Sequence, residues 1–108
     1  MDLAASLREE TQFPWERHPE RDAACLFFGD ALTDGPRIIA KYCAVVFSSA
    51  PGAWHADVLR YNPESLRGVT CVAIRIPGTM TWLKLLEFVD LLVERLGGVS
   101  PLYMPVQT

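Results

Sequence analysis

The residues whose types and spacing could do chemistry are His55, Asp57 and Tyr61 on one alternating run, and Arg75 with Cys71 on another. Along Trp54–Tyr61, an extended chain points successive side chains to opposite faces. His55, Asp57, Leu59 and Tyr61 therefore share one side, and Trp54, Ala56 and Val58 the other. Val69–Ile76 alternates in the same way, with Cys71, Ala73 and Arg75 on one side and Val72, Ile74 and Ile76 on the other. Antiparallel pairing about the middle of residues 62–68 sets Trp54, Ala56 and Val58 opposite Ile76, Ile74 and Val72. It sets His55, Asp57 and Leu59 opposite Arg75, Ala73 and Cys71. Two independent alternations then agree on one apolar face, an agreement that a one-residue slip would destroy.

On the polar side, directly opposed Cβ atoms lie about 5 Å apart. An Arg75 guanidinium there is a planar donor fork for an anion, and His55 is a proton carrier near neutral pH. His55, Asp57, Tyr61 and Arg75 are thus the candidate residues for binding a small ligand or anion. The plainer reading is a solvated sheet face with an ordinary Asp57–Arg75 ion pair. A nucleophilic Cys71–His55–Asp57 arrangement fails on register, because Cys71 opposes Leu59 and stands too far from His55 for proton transfer. No residue is assigned a catalytic role. The chain has no GxSxG elbow, phosphate-binding loop, GxGxxG or HExxH pattern. Its three cysteines form no CxxC pair and neither histidine stands at ligand spacing from them, so no metal or other cofactor is expected. Cys25, Cys43 and Cys71 read as buried free thiols of a reducing compartment.

The elements that must position these residues follow from pattern and punctuation. Residues 2–10 suit a short helix with Asp2 as N-cap and Leu3 and Leu7 on one face. Residues 11–22 are polar and broken twice by proline, an irregular arm carrying Phe13 and Trp15. Ala23–Phe28 suits a strand, and Thr33-Asp34-Gly35-Pro36 a hairpin turn. Arg37–Phe47 reads as a strand because β-branched residues dominate. Arg37, Lys41, Ala44 and Ser48 at helical spacing offer a helix instead. Residues 48–52, Ser-Ser-Ala-Pro-Gly, break the chain in either case. The run from Thr79 to Gly98 reads as an amphipathic helix, capped by Thr79 or Thr81 and stopped by a left-handed Gly97-Gly98. Its polar stripe (Lys84, Glu87, Asp90, Glu94, Arg95) is narrow. Its apolar arc (Leu85, Leu86, Phe88, Val89, Leu92, Val93, Leu96) is wider than one sheet face demands.

The expected fold is a two-layer α+β domain: an antiparallel sheet of three to four strands, backed by a C-terminal amphipathic helix, with a short N-terminal helix. Residues 1–22 form the helix and arm, 23–98 the core domain, and 99–108 an extended tail. With 108 residues, half of them hydrophobic, the chain can bury a single core. Eight Arg and two Lys are dispersed and the net charge is −3, which argues against nucleic-acid binding. No stretch approaches the ~20 apolar residues that span a bilayer, and the N-terminus resembles no signal peptide. A cytoplasmic location is expected. The missing catalytic motifs, the wide helix arc and the aromatic-bearing ends point to a small non-enzymatic interaction module, of adaptor, regulator or inhibitor type. It is expected to bind a protein partner or itself, as a homodimer, with Phe13, Trp15, Tyr103 and Met104 as partner-binding candidates; for Trp15 the favoured alternative is that the arm folds back and packs the indole on the chain's own surface. The alternative is a small-ligand or anion-binding domain, or a minor enzyme, using the His55/Asp57/Arg75 face.

Overall fold

A computed structural model describes residues 2–34, 37–61 and 70–99. Helix α1 (Leu3–Thr11) is followed by strands β1 (Glu16–Arg17), β2 (Ala24–Asp34), β3 (Arg37–Ala50), β4 (Ala53–Tyr61) and β5 (Thr70–Arg75), then helix α2 (Trp82–Leu96). The strands form one antiparallel sheet in chain order. Both helices pack on the same face of it. This is the expected α+β class, with five strands where three to four were expected. The additional strand, β1, lies in the arm read as irregular: Glu16 and Arg17 pair with Cys25 and Ala24.

Local signals explain most elements. Asp2 caps α1, its Oδ1 accepting from the Ala5 N–H at 3.2 Å, and Ala4 and Leu7 are buried against the sheet. Residues 37–50 form a strand, because the stiff β-branched side chains of Ile38, Ile39, Val45 and Val46 favour a pleated surface over a helix. Asp34 pairs with Arg37, and residues 35 and 36, of the expected Thr33–Pro36 turn, lie outside the described residues. At the next reversal the strand runs through Ser48–Ala50 with an irregularity, leaving Pro51–Gly52 alone as the turn.

The β4–β5 register differs from the expected one. Asp57 pairs with Arg75 and Val58 with Ile74, two residues along from the symmetric pairing. A bulge between Val58 and Leu59 then sets Leu59 opposite Val72, Arg60 opposite Cys71 and Tyr61 opposite Thr70. A two-residue slip keeps each side chain of 54–58 on its expected face, so the alternation survives while the partners change. The bulge inserts one extra residue and was not readable from alternation. Ile74, expected inward, is 37% exposed, and the side chains of Cys71, Val72 and Ala73 lie outside the described residues.

On the helix-covered face, Ala24, Leu26 and Phe28 of β2, Ala44 and Val46 of β3, and Ala56 and Val58 of β4 meet Ala4 and Leu7 of α1 and Leu85, Val89 and Leu92 of α2. Helix α2 is capped by Thr81 rather than Thr79, its Oγ1 accepting from the Lys84 N–H at 3.3 Å. At its other end Gly97 has φ +111° and ψ 162°, a positive-φ stop but not the left-handed helical one expected. The rest of the wide arc is half-buried, with Leu86, Phe88, Val93 and Leu96 against the core, while Leu83 and Leu91 face outward. Val99 bridges to Phe28 along the free edge of β2.

Candidate functional site: the open sheet face

The face of the sheet opposite the helices carries a second apolar cluster. Ala23, Cys25 and Val45 are buried there, with Phe27, Cys43, Phe47 and Leu59 packed around them. Among the described residues no helix covers this face. Both faces of β2 and β3 are therefore apolar, which is why Ala23–Phe28 reads as an unbroken hydrophobic run rather than an alternation.

A polar rim is built on this cluster. Phe47 is its platform: the His55 imidazole stacks on the Phe47 ring at 4.9 Å and 11°, and the Arg21 guanidinium lies 4.8 Å from the ring centroid. Arg21 is placed by a turn in which His18 Nδ1 accepts from the N–H groups of Glu20 (3.1 Å) and Arg21 (3.0 Å). His55 Nε2 and Ser49 Oγ share a hydrogen bond of 2.8 Å. Asp57 and Arg75 form the cross-strand pair, with Arg75 Nε and Nη2 donating to Oδ1 and Oδ2 at 3.1 and 3.3 Å. Arg21, Phe47, His55, Asp57 and Arg75 line a shallow groove of about 690 Å³ together with Ile76, Pro77 and Gly78.

The structure thus gathers three of the four ligand-binding candidates, His55, Asp57 and Arg75, into one groove. Tyr61 does not line it, since it pairs with Thr70 at the far end of β4. The sequence reading missed Arg21 and Phe47. No local pattern links an arm residue to the middle of β3; only the β1–β2–β3 pairing brings them together.

One cross-strand row runs through the centre of this face. Glu16 pairs with Cys25, Cys25 with Val45, Val45 with Asp57, and Asp57 with Arg75. The row spans all five strands, with a carboxylate at one edge and a guanidinium at the other.

Two thiols sit beside it. Cys25 and Cys43 are diagonal neighbours on β2 and β3, with Cys25 opposite Val45 and Cys43 opposite Phe27, and both are free. A hydrogen bond from Cys43 holds the Cys25 thiol below its ordinary value, against the opposing effect of burial. The same bond, reinforced by burial, pushes Cys43 well above the ordinary value. Among the described residues no three metal-ligating side chains converge.

The partner-binding candidates do not share this face. Trp15 is 1% exposed and fills the chain's own core. Its indole Nε1–H donates to Thr11 Oγ1 at 2.9 Å and its carbonyl accepts from Arg8 Nη1 at 2.7 Å. Phe13 is half-buried beside it. The arm folds back on α1 instead of presenting its indole outward. Tyr103 and Met104 lie outside the described residues.

What fold and site define together is a two-layer α+β domain with one sheet face covered by helices and an apolar, charge-rimmed second face. Comparison with known protein families, curated proteins and solved structures finds no match to this chain.

Proposed function

We propose that the chain is a non-enzymatic interaction module that self-associates, with the open sheet face packing on the same face of a second copy. The observation that carries this reading is the second apolar cluster on a face that no described element covers. Its area suits a dimer: four strands at ~4.8 Å spacing and about nine residues of ~3.3 Å rise give roughly 600 Å² in plan. That approaches the ~800 Å² each partner contributes to a standard interface. The central row supports a second copy as the occupant. A two-fold axis parallel to the strands through Val45 sets β1 of one copy over β5 of the other, so that each Glu16 meets the other copy's Arg75. Isologous interfaces are self-complementary in this way. Free Cys25 and Cys43 fit a reducing compartment such as the cytoplasm, and no described helix is long and apolar enough to cross a membrane.

Sedimentation equilibrium tests this reading. The expected species is a dimer, with dissociation raised at least tenfold by Phe47→Ser and by E16R. A wild-type chain that stays monomeric at high concentration would overturn it. So would a dimer indifferent to both substitutions, or hydrogen exchange showing the face shielded in a monomer by residues 100–108.

The groove of Arg21, Phe47, His55, Asp57 and Arg75 supports a second reading, small-anion binding on the rim. Asp57 already neutralises Arg75 there, and among the described residues no carboxylate forms an ion pair with Arg21, so the reading predicts weak binding centred on Arg21. Titration of the R21A variant with inorganic phosphate, followed by the His55 NMR signals, tests it: binding identical to wild type sinks it.

A further inference from the structure

A second groove, of about 400 Å³, opens on the opposite side of the molecule, lined by Ser6, Glu9 and Glu10 of α1, Trp54 of β4 and Trp82 of α2. We infer that it binds a small alkylammonium cation of the trimethylammonium type, held between the indoles of Trp54 and Trp82 and the carboxylates of Glu9 and Glu10.

The aromatic half is fixed in place. The two ring centroids lie 4.9 Å apart with the planes inclined at 58°. Trp54 is anchored through its backbone, donating to the Met80 carbonyl at 2.9 Å and accepting from the Met80 N–H at 2.8 Å. Trp82 is the first residue of the Thr81-capped helix. Both rings pack on the core yet still line the groove, so they reach a ligand without rearranging. Tryptophan is the ring that attracts cations most strongly, and quaternary ammonium groups are recognised by clustered aromatic rings. Two inclined rings suit a rounded group that touches both, whereas a planar guanidinium stacks on a single face.

The acidic half follows from helix geometry. Ser6, Glu9 and Glu10 stand at i, i+3 and i+4, which puts them on one face of α1, while Ala4 and Leu7 point into the core. Among the described residues no cation pairs with either carboxylate. Both also lie in the C-terminal half of α1, where a helix disfavours negative charge. The positive end of α2 adjoins the groove at Trp82 and opposes a cation, but it amounts to roughly half a charge against two full carboxylates.

Trp15, sealed in the core, is a built-in control. Titration of the full chain with tetramethylammonium chloride against matched sodium chloride, read by the indole N–H signals in NMR, is expected to shift Trp54 and Trp82 saturably and leave Trp15 in place. The E9Q/E10Q double variant should weaken binding about tenfold, and Trp82→Leu should abolish it. If Trp82→Leu fails to fold, E9Q/E10Q alone decides, since both positions are exposed. No saturable shift, a shift reproduced by sodium, tighter binding of guanidinium than of tetramethylammonium, or binding unaffected by E9Q/E10Q would overturn the inference.

Discussion

The indole of Trp15 ties helix and arm together through a relay of hydrogen bonds. Thr11 Oγ1 accepts from the Trp15 Nε1–H and from the Phe13 N–H, and donates to the Leu7 carbonyl at 2.7 Å. Replacing Trp15 by Phe removes one of these bonds and should cost about 1 kcal/mol. Replacing it by Ala opens the core and should cost about 3–5 kcal/mol. Urea denaturation of the two variants measures both, and equal losses would mean that the indole N–H rather than the ring volume dominates. The Cys25–Cys43 pair makes a second residue-level expectation. Because Cys43 donates to Cys25, Cys25 should ionise below the ordinary 9.0 and Cys43 well above it. Removing the donor with Cys43→Ala leaves only burial acting strongly on Cys25, so its thiolate absorbance at 240 nm should appear at higher pH than in the wild type. Stability follows the same signs. Above pH 9 the unfolded Cys43 ionises while the folded one keeps its proton, so its contribution is intact below 9 and is lost as pH rises toward its raised value. The lowered Cys25 value works in the other direction, adding stability above the pH at which the folded thiol ionises. The sequence favoured inward packing of Trp15 without showing its contacts, and the thiol pair was not legible. A tryptophan in a proline-broken polar arm does not show what it packs against, and cysteines eighteen residues apart meet only through strand register.

At the scale of elements, the tightest constraint is the meeting of α2 with β2. Gly29 sits where β2 shifts register between Phe28 and Ala31, with φ +93°. A Cβ on Gly29 would come within 2.7 Å of the Tyr42 ring and 3.3 Å of the Leu96 carbonyl, and a Cβ on Gly97 within 3.0 Å of Gly29 Cα. The end of the helix and the bulge of the strand thus close on each other with no room for a side chain. Gly29→Ala is expected to cost more than about 2 kcal/mol, combining positive φ at ~1–2 kcal/mol with a clash against the Tyr42 ring and a tight approach to the Leu96 carbonyl. Gly97→Ala should cost a similar amount, and the two should be non-additive, since either one already forces the helix end away. Thermal unfolding of the single and double variants checks this; additive losses would argue against a shared contact. The sequence showed Gly97-Gly98 as a helix stop, correctly in position. It could not show the packing partner, because Gly29 follows an apolar run that alternation reads as ending at Phe28. The same blindness to bulges explains β5. The facing of Trp54, Ala56 and Val58 was legible because alternation is local, whereas the extra residue that resets partners beyond Val58 leaves no local mark.

Over the whole molecule, the two candidate surfaces lie on opposite sides of one sheet. Phe47 and Leu59 belong to the open face, whereas Trp54 and Trp82 pack against the helix-covered core and line the groove beside α1. Adjacent residues of β3 make this separation testable. Val46 faces the helices and is fully buried, and Phe47 faces the other way and is half-buried. Val46→Ala should lower stability by about 1–3 kcal/mol by creating a cavity while leaving the association constant of the folded dimer unchanged. Phe47→Ser should do the reverse at low concentration, freeing the monomer with a smaller loss of intrinsic stability. The apparent melting temperature of the wild type should therefore rise with protein concentration, as it must when folding and association are linked, and that of Phe47→Ser should not. In the proposed dimer association covers only the open face, so each chain would keep its tryptophan groove. Tetramethylammonium should bind with a stoichiometry of one per chain, and with the same affinity, in the wild-type dimer and in the Phe47→Ser monomer. Affinity that fell with the loss of the dimer would mean that the groove is completed by the second copy, and the assignment of the two surfaces to separate faces would have to be abandoned.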